Sequence, residues 1–148
     1  MSGDQARPTR ADTPERSDLG RQAGEVSGAI VRLFSRYAGR GPTKARTTLN
    51  ANLVAVVLEN ALTTAELTLV AAGEVEPVKA MRRKYHDAMR EKMIEAVERI
   101  VDRKVVTLLS DIDPVANVAA EVFVLEHHPD RGLTATVEMG EEQLKAET

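Results

Sequence analysis

Arginine and lysine are concentrated where this chain can receive an anion. Between Val26 and Leu58 stand Arg32, Arg36, Arg40, Lys44 and Arg46, with no acidic residue among them. Such a group suits a phosphate, bicarbonate, an acidic lipid headgroup or an acidic loop on a partner. Arg32 and Arg36 lie one turn apart near the end of a predicted helix, where cations also complement the helix dipole. Gly39 and Gly41 flank Arg40, but they follow a helix and precede a strand. A phosphate-cradling loop has four residues between its glycines, then a lysine, and it opens a helix. The two glycines therefore read as a helix stop and turn. A second basic run, Arg82-Arg83-Lys84-Tyr85-His86, falls on a helix where Arg83 meets Asp87 at i, i+4. It reads mainly as a solvated face, with the alternative that Arg82 or Arg83 folds back over the sheet toward the basic turn.

Other chemistries fail on spacing. Asp111-x-Asp113 with Asn117 resembles the start of a calcium loop, but its sixth and twelfth positions are Ala116 and Val122. Glycine and glutamate are needed there, and Asp-Pro turn chemistry explains the same residues. His86 stands alone on a helix, His127-His128 opens a tail, and no His-x-x-x-His spacing occurs, so no metal site is expected. No Ser, Thr or Lys sits in a setting such as Gly-x-Ser-x-Gly. With no Cys in the chain, disulfides and thiol nucleophiles are absent. The expectation is a protein that is not an enzyme and has neither cofactor nor catalytic residues. Its candidate binding residues are Arg40, Gly41, Pro42, Thr43, Arg46, Arg82 and Arg83.

These residues need a scaffold, and the composition allows one ordinary domain. The chain has 148 residues, 20 basic and 23 acidic side chains, a net charge of −3 and 43% apolar residues. Two Phe, two Tyr and no Trp leave the core to Leu, Val, Ile, Ala and Met. An acidic total without a stacking motif argues against nucleic acid. The longest apolar run, Leu53–Leu58, is too short for the roughly 20 residues of a spanning helix, and no secretory signal is visible. The expected location is cytoplasmic, at most peripheral to the inner face of the membrane. Residues 1–17 and the acidic stretch 127–148 read as disordered tails around a domain at 18–126.

Within that domain Leu19, Ala23, Val26, Ile30, Leu33 and Tyr37 mark an amphipathic helix. Thr43–Leu49 and Leu53–Leu58 form a hairpin, read as a polar edge strand beside a central one. In Leu62-Thr63-Thr64-Ala65-Glu66-Leu67, Thr63 caps a short helix and Glu66 reaches back to the cap amide. A long helix runs from about residue 74 to 103, and Val105–Leu109 with Val118–Leu125 make a second hairpin. The fold class is α+β: a four-stranded, mostly antiparallel sheet with its helices on one face. Weak alternation in three strands leaves the other face apolar as well, and a homodimer is the simplest cover.

Arg40-Gly41-Pro42-Thr43, the apolar strand Leu53–Leu58, and Leu62-Thr63-x-x-Glu66-x-x-Leu69-x-x-x-Gly73 form one block. Val78-x-x-x-Arg82-Arg83-x-Tyr85, a long helix and a closing strand Glu121–Leu125 follow it. Over residues 19–126 this pattern resembles the MpsC family of bacterial sodium-translocating, membrane-potential-generating systems. The resemblance implies a small soluble protein, some relatives being encoded beside membrane subunits similar to cation antiporter and bicarbonate-uptake components. It implies no catalytic residues. If the family shares a binding surface, the matching positions are Arg40, Gly41, Pro42, Thr43, Thr63, Glu66, Arg82 and Arg83. The hairpin departs from the pattern, because relatives carry charge, including an Asp before the second strand, where this chain is bland. The expected role is an accessory or regulatory subunit in peripheral contact with a membrane transporter subunit. The alternative is a dimeric small-anion or nucleotide sensor in the cytosol.

Overall fold

A computed structural model of the chain describes residues 14–127 and 134–147. The long apolar periodicity becomes helix α1 (Pro14–Ala38). It stops at Gly39, whose φ of 80° is the left-handed cap that glycine adopts without strain. Gly41 has a different reason for being glycine: a Cβ there would strike the Ser35 hydroxyl and lie 3.2 Å from Val31 Cγ1. The turn is packed tightly on the last turns of α1. Strands β1 (Lys44–Leu49) and β2 (Leu53–Glu59) follow, then helices α2 (Thr64–Ala71) and α3 (Val75–Val101). Strands β3 (Val105–Asp113), β4 (Val118–Leu125) and β5 (Ala135–Met139) and helix α4 (Glu141–Glu147) complete the order.

The sheet has five strands in the order β3-β4-β2-β1-β5, with every neighbouring pair antiparallel. β2 and β4 join the two hairpins, with Val54 opposite Phe123 and Val56 opposite Glu121. The α+β class is therefore as expected, and the strand count is corrected from four to five. The fifth strand comes from the stretch assigned to the C-terminal tail, and it turns β1 from an edge into an interior strand. Val137 and Met139 pack against the core while Thr136 and Glu138 point outward. Such a short, half-polar segment carries little intrinsic strand signal and takes its conformation from pairing. Thr136 shares a hydrogen bond with Thr48, and Glu138 receives Lys44 at 2.5 Å. Leu144 of α4 is buried in the same core. At the other end, helix begins at Pro14, inside the expected N-terminal tail, while 1–13 lie outside the described residues.

One face of the sheet carries the core. Val54, Val56 and Leu58 of β2 and Phe123 and Leu125 of β4 meet Val26, Ile30 and Phe34 of α1 and Met89, Met93 and Val97 of α3. Strict alternation then sends Leu53, Ala55 and Val57, with Val118, Ala120, Val122 and Val124, to the opposite face. These side chains are half-buried by one another, and no described helix lies over them. The N-terminal half of α3 is not buried along the whole line of its apolar residues Val78, Met81 and Tyr85. Val78 is buried, but the next fully buried position is Arg82 rather than Met81 or Tyr85. That substitution of a cation for a core residue is where the site begins.

Candidate functional site

Arg82 is 5% exposed and must find partners inside the protein. Its Nε and Nη2 donate to the two carboxylate oxygens of Glu66 at 2.6 and 2.5 Å. Nη2 also donates to the Ala61 carbonyl at 2.7 Å. Glu66 in turn accepts the Thr63 amide at 2.9 Å, and the Glu66 amide donates to the Thr63 hydroxyl at 3.3 Å. This is the capping box expected from the spacing, closed by a buried arginine fork. Burial pushes the Glu66 carboxyl up. The hydrogen bonds from Arg82 and Thr63 and the Arg82 charge outweigh it, holding the group below the usual carboxylate range.

The same loop is pinned from two other sides. Arg40 Nη1 donates to the Leu62 carbonyl at 2.8 Å, and the Leu62 amide donates to Asn117 Oδ1 at 3.0 Å. Asn60, with φ of 55°, donates through Nδ2 to the Thr43 hydroxyl at 2.8 Å. Of the residues that carried the resemblance, Arg40, Thr43, Thr63, Glu66 and Arg82 thus meet at one knot, residues 60–66.

Beside the knot, the N-terminal half of α3 and strands β3 and β4 enclose a cleft of about 300 Å³. Lys79, Arg82, Arg83, His86, Asp87 and Arg90 line it from α3, Phe34 from α1, and Leu108, Ser110, Ile112, Ala119 and Glu121 from the sheet. Glu121 is 2% exposed. Its Oε2 faces His86 Nε2 at 2.8 Å and accepts the Ser110 hydroxyl. Burial raises the Glu121 carboxyl, and the His86 hydrogen bond and charge, with the Arg90 charge, offset this only in part. Arg90 Nη1 is anchored on the Leu108 carbonyl at 2.8 Å.

Serine, histidine and carboxylate suggest a nucleophile, but a proton relay uses both imidazole nitrogens, one toward the hydroxyl and one toward the carboxylate. Here Nε2 alone faces both Ser110 and Glu121. The arrangement is a polar cluster around one buried carboxylate, with Ser110 exposed and His86 half-buried, and it has no relay geometry. Sequence reading left His86 solitary and passed over Glu121. A signal was present: period-2 alternation puts Glu121 on the same face as Ala119, Phe123 and Leu125, a charge at a core position.

The five cations of 26–58 do not form one patch. Arg40 serves the knot, Lys44 pairs with Glu138 and Glu59, and Arg46 stands on the outer face of the sheet. Gly41, Pro42 and Thr43 line a separate pocket closed by Glu141, Leu144 and Lys145 of α4. Arg82 and Arg83 both line the cleft, and Arg82 also reaches the Ala61 carbonyl, next to the Leu62 carbonyl held by Arg40. Arg32 and Arg36 of α1 instead meet Lys92 and Arg99 of α3, with Glu95 as the one carboxylate, along a groove of about 240 Å³. Among the described residues no three His, Cys, Asp or Glu side chains gather as metal ligands, and no helix is long and apolar enough to cross a membrane.

The knot, the cleft and the α1–α3 groove all fall within residues 20–127, which match a family model described as Na+-translocating membrane potential-generating system (MpsC). No curated protein and no solved structure matches the chain. β5 and α4 lie beyond the matched span. On a match covering most of its length, this chain belongs to the MpsC family.

Proposed function

We propose that the chain is a non-catalytic accessory subunit of a bacterial membrane-potential-generating system for cation or bicarbonate transport, working at the cytoplasmic face. The observation that carries this reading is the α1–α3 groove, where four cations and a single carboxylate lie on the helical side of the protein. An acidic cytosolic segment of a membrane subunit is its natural complement, and such a contact weakens as salt screens it. The opposite side of the molecule is the apolar outer face of β2 and β4, which a second copy covers in a homodimer.

The test is affinity purification of the tagged chain from gently solubilised native cells at low and high salt, with the co-eluting proteins identified by mass spectrometry. A multi-spanning transport subunit should be retained at low salt and lost at high salt. The variant Arg36→Glu with Lys92→Glu should lose it at both. Retention unchanged by salt and by these substitutions would remove the groove as the docking surface. Light scattering at micromolar concentration reads the second half of the proposal: a dimer is expected, and a monomer removes it.

A further inference from the structure

Glu121 is the most deeply buried acid lining the cleft beneath α3, yet only half of its carboxylate is engaged. His86 Nε2 and the Ser110 hydroxyl both meet Oε2, and Oε1 takes no hydrogen bond among the described residues. The one fully buried side-chain atom there without a partner is Arg82 Nη1. Oε1 therefore keeps some accessible surface, and the space beside it is the cleft. Burial raises this carboxyl, and the His86 and Arg90 charges do not bring it back, so the group is short of positive partners.

The facing helix offers the opposite charge. Lys79 and Arg83 stand one turn apart on α3, line the same cleft, and hold no hydrogen bond or ion pair among the described residues. Arg90, by contrast, is already anchored on the Leu108 carbonyl. Arg83 precedes His86 by three residues, which sets the free guanidinium and the buried acid within about one helical turn, ~5.4 Å of rise. A simple amine would be repelled by Lys79 and Arg83. A simple anion would offer Oε1 nothing and would meet Asp87 and Asp111 as well as Glu121. A zwitterion answers both walls. Between them the floor is apolar, with Leu108 and Ile112 on the same side of β3 as Ser110. Ile112 is half-buried and has surface left to cover. A volume of about 300 Å³ lies at the small end of ligand pockets.

We infer that the cleft binds an α-amino acid with an apolar side chain, its ammonium on Glu121 Oε1, its carboxylate on Arg83 and Lys79, and its side chain on Ile112 and Leu108. No existing contact is displaced. His86 and Ser110 keep Oε2, Glu66 keeps Arg82, and the ammonium brings Glu121 the positive partner it lacks. The inference is independent of the docking groove, which lies between α1 and the C-terminal half of α3.

The experiment is an NMR titration of the full chain at constant ionic strength, following the backbone amides of Arg83, Ser110 and Ile112. Three probes share one side chain. L-leucine carries both charges, L-leucinamide only the ammonium, and isocaproate only the carboxylate. Leucine should shift the three amides saturably, at millimolar concentration or below, as expected for so small a ligand. Each singly charged analogue should bind at least about tenfold more weakly. Arg83→Gln changes an exposed position, and Glu121→Gln keeps the shape and an acceptor for Ser110. Each should weaken leucine about tenfold. If Glu121→Gln does not fold, isocaproate still tests the ammonium contact on the unsubstituted protein. No saturable shift with leucine would overturn the inference. So would an affinity for leucine that either folded variant leaves unmoved. Isocaproate or leucinamide binding as well as leucine would also reject it, leaving a site for an anion or for a cation alone.

Discussion

Two glutamates, each 2% exposed, lie one helical turn apart in the partners they choose on α3. Glu66 takes Arg82, and Glu121 takes His86. Burial acts on both carboxyls in the same direction, yet Glu66 ends below its ordinary range and Glu121 above it. The difference lies in the partner. Arginine is charged at every accessible pH and matches a carboxylate with two parallel donors, while the Thr63 amide adds a third. Histidine offers Glu121 one nitrogen, and Arg90 assists it only through its field. One buried acid is thereby a permanent ion that locks the 60–66 loop. The other is pushed toward its protonated form by burial, and it lines the cleft beneath α3.

The comparison is broken most forcefully by removing the permanent partner. Arg82→Met leaves the Glu66 charge buried and unpaired, and should cost about 3–5 kcal/mol in urea unfolding. Replacing both members, Arg82→Met with Glu66→Leu, should recover most of that, since the isolated charge and not the lost attraction dominates. Glu66 also sets an acid limb. Its folded pKa is depressed, so its contribution is complete above the unfolded value and is lost as pH falls through the folded one. A cost below about 1 kcal/mol for the single variant would show that water reaches Glu66, placing both acids in one class.

These two regions were unequally legible before folding, for a physical reason. The capping box lies within four residues, so Thr63 and Glu66 could be read from spacing alone. Arg82 could be singled out as a basic residue able to fold back over the sheet and as part of the family pattern, but its acceptors could not be named, because they lie 16 and 21 residues away. His86 and Glu121 are joined across 35 residues, by a pairing that exists only once β4 sits beneath α3. The same holds for β5. Ala135–Met139 has a polar face that resembles a tail until Thr48 and Lys44 are placed opposite it. Local chemistry survives in a sequence, whereas sites made by non-local pairing have to be inferred from a charge at a core position of an alternating strand.

A smaller effect sharpens the contrast by its sign. Glu121→Gln keeps an acceptor for Ser110 and removes the titrating group. Because the folded pKa of Glu121 is raised, its protonated form favours the fold, and that advantage is complete below the unfolded value of about 4.5. It is lost as pH rises through the folded value. The stability of the variant relative to the unsubstituted protein should therefore rise with pH above the ordinary carboxylate range. Glu66 behaves in the opposite sense, losing stability only on the acid side. Urea titrations at a series of pH values would show this, and a difference that falls with increasing pH would mean that Glu121 is held as an ion like Glu66.

The smallest effect separates the cap from the ion pair. Thr63→Ala deletes the hydroxyl that accepts the Glu66 amide, but leaves the Thr63 amide donating to Glu66 Oε1. Loss of such a cap costs about 1 kcal/mol, and Thr63→Ser, which keeps the oxygen, should restore most of it. The acid limb set by Glu66 should hardly move, because the Thr63 hydroxyl is the weakest of the groups that lower its pKa, while Arg82 is the strongest. A marked acid-side shift in Thr63→Ala, measured by urea unfolding at low pH, would mean that the cap orients the carboxylate for the arginine. Cap and ion pair would then be one cooperative unit, and the permanence of Glu66 would rest on the loop's geometry as much as on its partner's charge.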